Sequence, residues 1–121
     1  MPNSLDIVGL LEAGIRAESL RQKTIASNMA NIETPGYKRL DVNFEEVLAQ
    51  AIRSSDVTDI QDMEPEIYQP QNTPVRSNGN DVNLEAEIGE MIKNSLRQKA
   101  FMRLLSSKYR QIESAIDTSR T

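Results

Sequence analysis

Two residue types that carry much of biological chemistry are missing from this chain, cysteine and histidine. Without cysteine there is no disulfide and no thiolate, whether nucleophile or metal ligand. Without histidine as well, the chain lacks the commonest general base and the commonest metal ligands. Ser/His/Asp and Cys/His nucleophilic sites are excluded, as are zinc centres of the usual composition, and no cofactor is expected. Tryptophan is absent too, phenylalanine occurs only at Phe44 and Phe101, and aromatics make up 4% of the chain. Large aromatic side chains supply much of a small domain's buried area. Their scarcity predicts a thin core, with some apolar surface completed by other subunits.

Other absences narrow the field further. No run approaches the roughly 20 apolar residues that span a bilayer. The start, Met-Pro-Asn-Ser-Leu-Asp, has neither the basic nor the apolar region of a cleaved signal peptide, which by default predicts a cytoplasmic protein. There is no glycine-rich phosphate loop and no calcium loop. Asn78-Gly79-Asn80-Asp81 is rich in oxygen but lacks the alternating ligand spacing of a calcium site. Glu45-Glu46 and the scattered acids of the middle read as solvated charge, not a catalytic pair. The chain is not expected to be an enzyme or to bind a small-molecule substrate. A net charge of −4 and the lack of stacking residues argue against nucleic acid.

What is present is mostly helical pattern. The expected fold is mainly α, one domain over residues 1–121, with long N- and C-terminal helices packed as a coiled-coil-like pair. The first helix is expected over 4–32, capped by Asn3. Leu5, Val8, Leu11 and Ile15 form one apolar stripe, and Leu10, Ala13, Ala17, Leu20 and Thr24 a second beside it. Gly9 and Gly14 weaken this helix by about 1 kcal/mol each where exposed. A turn is expected over 33–42. A short helix over 43–53 follows, opened by Asn43 with Glu46 and carrying Phe44, Val47, Leu48, Ala51 and Ile52 at helical spacing. The middle, 54–82, reads as irregular and acidic. Ile67-Tyr68 and Pro74-Val75 could be extended there, with Asn78-Gly79 as the turn of a hairpin.

The last helix is expected over 83–117, with Asn83 as its cap and Glu85 and Glu87 at the positive end of its dipole. Its candidate seam runs Ile88, Ile92, Ser95, Lys99, Met102, Leu105, Tyr109, Ile112, Ile116. The apolar members of this row, with Val8, Leu11 and Ile15, form the candidate assembly surface. Charge is segregated. Twelve acids and only Arg53 and Arg76 lie between Asp41 and Glu90, while Lys93 to Arg110 holds six basic residues and no acid. A solvated helix face explains this run, and so does matching of a basic helix to an acidic middle between subunits.

The most over-specified stretch is Asn28 to Lys38. Pro35 cannot donate a backbone hydrogen bond and pushes Thr34 out of the helical region. Gly36 takes a positive φ without steric cost. Asn28 and Asn31 stand where helix carbonyls lack partners and amides can donate. Tyr37 brings a ring to bury and a hydroxyl to keep wet. It either plugs its own helix pair or packs on a neighbouring subunit.

Asn-x-Ala-Asn-x-x-Thr-Pro-Gly-Tyr-Lys closing an N-terminal helix resembles the signature of the flagellar rod and hook family of axial proteins. Asn78-Gly79-Asn80-Asp81-Val82-Asn83-Leu84-Glu85 resembles the segment that opens the C-terminal helix in that family, and Asn94-Ser95-Leu96-Arg97-Gln98 the helix that follows. The resemblance is weak between about Ser54 and Arg76. It implies a structural subunit of the bacterial flagellar basal body that carries torque and surrounds an export channel. It further implies passage through the flagellar type III export gate to the periplasmic rod, without a cleaved signal. The implied partners are copies of itself, other proximal rod proteins, the basal-body adaptor protein, the export gate and the inner-membrane ring. From a different class, a small cytoplasmic helical adaptor or export chaperone fits the same helical pattern.

Overall fold

The computed structural model describes residues 4–54 and 63–120. The proposed cap Asn3 and the acids Asp56, Asp59 and Asp62 lie outside this part. Helix α1 spans Ser4–Ala30 and ends two residues before the expected Ile32. Past Ala30 the chain tightens into short-range bonds, Ile32 N to Met29 O and Thr34 N to Asn31 O, the usual way a helix closes its last carbonyls. Strand β1 (Asp41–Asn43) leads into helix α2 (Glu45–Ser54). Asn43 ends the strand, so α2 starts two residues later than expected, and the Asn43 side chain reaches only the Glu46 carboxylate at 3.4 Å. Strand β2 spans Glu66–Tyr68 and helix α3 Leu84–Ser119. Asn83 caps α3 as expected, its side chain accepting from the Ala86 backbone N–H at 3.0 Å.

A small antiparallel strand pair forms, and Ile67-Tyr68 is extended as expected, but its partner is not Pro74-Val75. β2 pairs antiparallel with β1, in the register Asp41↔Tyr68, Val42↔Ile67, Asn43↔Glu66. Pro74-Val75 forms no strand, and Asn78-Gly79 is a turn without flanking strands. The reason lies in Val42 and Met63. Both are buried, so residues 63–68 fold back over β1 and α2 and leave 74–75 no strand to pair with.

Helices α1 and α3 run antiparallel along most of their lengths. Asn28 meets Glu87, Glu18 meets Asn94, and Glu12 meets Tyr109. Gly14 gives Phe101 its seat. A Cβ at Gly14 would fall 2.8 Å from the Phe101 ring, so this buried glycine is a helix-contact device, not a weak point. The apolar core is thin, as expected. Ala13, Ala17, Phe44, Ala51 and Met63 form its cluster, with Val47 and Leu48 packed against them, while Ile52 is exposed.

Only the later part of the expected α3 seam turns to α1: Leu105 and Ile112 lie on the side of Asn94 and Phe101, and the Tyr109 hydroxyl reaches Glu12, whereas Ile88 and Ile92 face outward. Ile88, Ile92, Met102, Tyr109 and Ile116 are exposed, as are Ser95 and Lys99, while Leu105 and Ile112 are half-buried. The face toward α1 is largely polar and carries Glu87, Asn94, Arg97 and Gln98, then Phe101. On α1, Leu11 is buried and Val8 and Ile15 are half-buried. Apolar periodicity alone misplaces the contact because buried polar side chains fill half of it.

Candidate functional site

The two motif segments, over forty residues apart in sequence, fold onto each other. Asn28 is the hub and is fully buried. Its amide makes four hydrogen bonds. Nδ2 donates to Leu40 O at 2.8 Å and to Glu87 Oε2 at 3.2 Å. Oδ1 accepts from Leu40 N at 2.8 Å and from the Tyr37 hydroxyl at 3.0 Å. Asn28 thus pairs with Leu40 as a neighbouring strand would, through both its N–H and its C=O. Tyr37 gives its single proton to Asn28, so Ser27 Oγ, 3.1 Å away, is the donor in their contact. The Tyr37 hydroxyl is therefore bonded inward, not kept wet, and Tyr37 plugs its own helix end.

Asn31 holds the helix terminus in a different way. Its Nδ2 donates to Ser27 O at 2.8 Å, and its Oδ1 accepts from Thr34 Oγ1 at 3.1 Å. The turn then exposes Pro35 and Gly36, with Gly36 at φ 76°, the positive value that the motif requires.

The 78–81 loop clamps this turn from the other side. Gly36 N donates to Asn78 O at 2.9 Å. Asn80, fully buried, donates from Nδ2 to Asn31 O at 2.8 Å and to Thr34 O at 2.9 Å. Its Oδ1 accepts from Val82 N at 2.8 Å. Asp81 accepts the Arg39 backbone N–H at 2.6 Å. Lys38 Nζ donates to Gly79 O, and the Arg76 guanidinium to Ile32 O. Gly79, at φ 86°, lies so close that a Cβ there would stand 3.2 Å from Gly36 Cα. The loop supplies the donors that the end of α1 lacks, which is why it is rich in Asn.

Two buried carboxylates extend this clasp along the helix pair. Glu87 of α3 accepts from Arg39 Nε at 3.0 Å and from Asn28 of α1. Glu18 of α1 accepts from Arg21 at 2.7 Å, Arg97 at 2.9 Å and Asn94 of α3 at 2.8 Å. Each helix thus gives one buried acid and receives one buried amide. Arg21 continues to Glu45 of α2 at 2.6 Å. Burial works against the charge of Arg21 and Arg39, but their carboxylate partners outweigh it and raise both above the ordinary guanidinium range. Burial would likewise raise the Glu45 carboxyl, yet the bond and charge of Arg21 hold it below the usual carboxylate value.

Every buried polar side-chain atom among the described residues has a partner, so the site is a closed structural network. Beside it, α1 and α3 part around an open groove of about 520 Å³ bordered by Ile25, Ala26, Met29, Met91, Ile92 and Ser95. Among the described residues, no group of acidic side chains is arranged to hold a metal ion, and no helix is long and apolar enough to cross a membrane. Sequence reasoning found Asn28, Asn31, Thr34, Pro35, Gly36 and Tyr37, and the structure brings all six together. It missed Glu18, Glu87, Asn94 and Asn80 as buried partners, and Arg39 as the half-buried cation that meets Glu87. The available signal was an acid or amide lying on the apolar side of a helix, as Glu18 does beside Ala17.

The family model described as flagella basal body rod protein matches residues 12–38, which run from mid-α1 to the end of the turn. A flagellar basal body rod protein FlgB of Bacillus subtilis is 28% identical over 116 residues, covering 88% of this chain and 89% of that protein. One from Aeromonas hydrophila is 29% identical over 111 residues, covering 83% and 84%. Another, from Aquifex aeolicus, is 26% identical over 87 residues, covering 69% and 70%.

Proposed function

We infer that this chain belongs to the flagellar basal body rod proteins and is a proximal rod subunit of the FlgB kind. It is a structural component of the basal body that assembles with other rod proteins. The observation that carries this reading is the clasp. The residues matched by the family model end in the Asn28–Lys38 turn, and the turn is completed by the second motif segment, Asn78–Asn83. What the clasp does is mechanical. It fixes the direction in which the chain leaves α1 and anchors the start of α3 against that point, so the helix pair is held at one end by bonds that do not depend on a large core.

Several finer features belong to the same proposal. The subunits meet copies of themselves, the basal-body adaptor protein, the export gate and the inner-membrane ring. They stand in the periplasmic rod around the export channel, reached by type III export without a cleaved signal. The role is non-catalytic. The thin core and the exposed apolar residues of α3 support completion of the fold between subunits, because such residues on a helix are usually covered.

The test is to place a labelled copy in cells lacking the native gene, then fractionate membranes and basal bodies. The label should co-purify with basal bodies and be seen in the rod by electron microscopy. A label that stays in the cytosol as a stable monomer or dimer would reject the rod reading and favour the cytoplasmic adaptor or chaperone.

A further inference from the structure

The outward side of α3 has two halves. Ile88, Ile92 and Leu96 stand at four-residue intervals, on one side of the helix. They are exposed by 39%, 55% and 63%. Along the same side, about one, two and four turns beyond Leu96, come Lys99, Arg103 and Arg110, all exposed. Among the described residues these three cations have no side-chain hydrogen bond or ion pair. An aliphatic row running into a basic row is therefore left open on the helix side away from Glu87, Asn94 and Phe101, with Ile92 also forming a rim of the groove beside α1.

A second open surface carries the complementary chemistry. Strand β2 pairs only with β1 among the described residues, so its other edge is unpaired, the kind of edge that accepts further contacts. Residues 64–68 read Glu-Pro-Glu-Ile-Tyr. Glu64, Glu66, Ile67 and Tyr68 are all exposed, with Ile67 at 47% and Tyr68 at 42%. This short segment offers two large apolar side chains next to two carboxylates without a described partner. It does not cover the α3 row within its own chain, since both surfaces are exposed together.

We propose that the Glu64–Tyr68 segment of one copy docks by its open edge on the outward face of α3 of the next copy, with Ile67 and Tyr68, which point to opposite faces of β2, straddling Ile88, Ile92 and Leu96, and Glu64 and Glu66 toward Lys99 and Arg103. The proposal rests on the rod-subunit reading. The contact joins two different surfaces, so it is head-to-tail and leaves a free surface of each kind at the ends of any row of copies, as an axial assembly requires. Apolar contact supplies the attraction, and the charge pairing sets the direction and register.

Because the native chain has no cysteine, introduced cysteines give an unambiguous test. A full chain carrying both Leu96→Cys and Ile67→Cys is expressed as the sole copy, basal bodies are isolated, and a mild oxidant is added. The two Cβ atoms must come within about 3.5–4.5 Å to form the bond. The expected result is a ladder of dimers and higher species on a non-reducing gel, with no dimer from either single variant. The pair Ile92→Cys with Tyr68→Cys repeats the test should the first pair fail to assemble. Chain present in basal bodies but unlinked in both pairs overturns the proposal. So does a dimer from Leu96→Cys alone, which would mean that α3 meets α3, or a link from position 96 to a different protein. Native chain absent from basal bodies overturns the rod reading, and this contact with it. In a motility assay Arg103→Glu should reduce spreading and Glu66→Arg should partly restore it. Worsening by the second change would count against the pairing.

Discussion

Asn28 uses its whole amide inside the protein, two bonds given and two received. Removing it strands the Leu40 backbone and takes one of the partners of Glu87, and buried polar groups left alone are costly. Asn28→Ala should lower stability by about 2–4 kcal/mol, read by urea unfolding. Asn31→Ala should cost roughly 1 kcal/mol, since Asn31 is half-buried and its partners can reach water. Equal losses would mean that Asn28 is not the hub. Acid is a second probe. Glu45 is held below its ordinary value by Arg21, so its contribution is present above the carboxylate range and is lost as pH falls through it. Stability should therefore drop on acidification from neutral pH into that range. Glu45→Gln should flatten part of the slope, and an unchanged slope in urea titrations would show that the Arg21 contact contributes nothing.

The elements obey rules that were only partly legible in sequence. The helices, the Asn83 cap and the Pro35-Gly36 turn follow from periodicity and backbone chemistry, which are local. The partner of β2 and the face of α3 turned to α1 do not, because they depend on Val42, Met63, Glu87 and Asn94 meeting groups far away in the chain. Gly14 is the clearest case. Helix propensity marks it as a weak point, whereas its missing Cβ is what admits Phe101. Gly14→Leu should therefore lower stability by about 1–3 kcal/mol despite its better propensity, because the ring has to move out. A gain in melting temperature would refute the contact. At Gly36 an added Cβ meets nothing within 4 Å, so the whole cost of Gly36→Val is its positive φ, about 1–3 kcal/mol. That change tilts the exit from α1, and loss of motility with normal amounts of protein is expected. Normal swimming would make the motif no more than a helix stop.

At the scale of the whole molecule, two leucines on α3 separate folding from assembly. Leu105 is half-buried and Leu96 exposed. Leu105→Asp should weaken the isolated chain by about 1–3 kcal/mol, while Leu96→Asp should change it by less than about 0.5 kcal/mol. Both should abolish spreading on motility plates, with Arg110→Ala milder than either. Full spreading by Leu96→Asp would leave the outward face of α3 without a role. The reciprocal pairs Glu18–Asn94 and Glu87–Asn28 carry a consequence for loading along the long axis. Sliding α1 past α3 by one turn, about 5.4 Å, would part both acids from both amides at once, leaving Glu18 with Arg21 alone and Glu87 with Arg39 alone. No intermediate offset matches either pair. The two helices therefore have one detent position and no neighbouring notch, so a thinly cored chain resists lengthwise shear as a stiff strut, and yields, when it yields, in a single step.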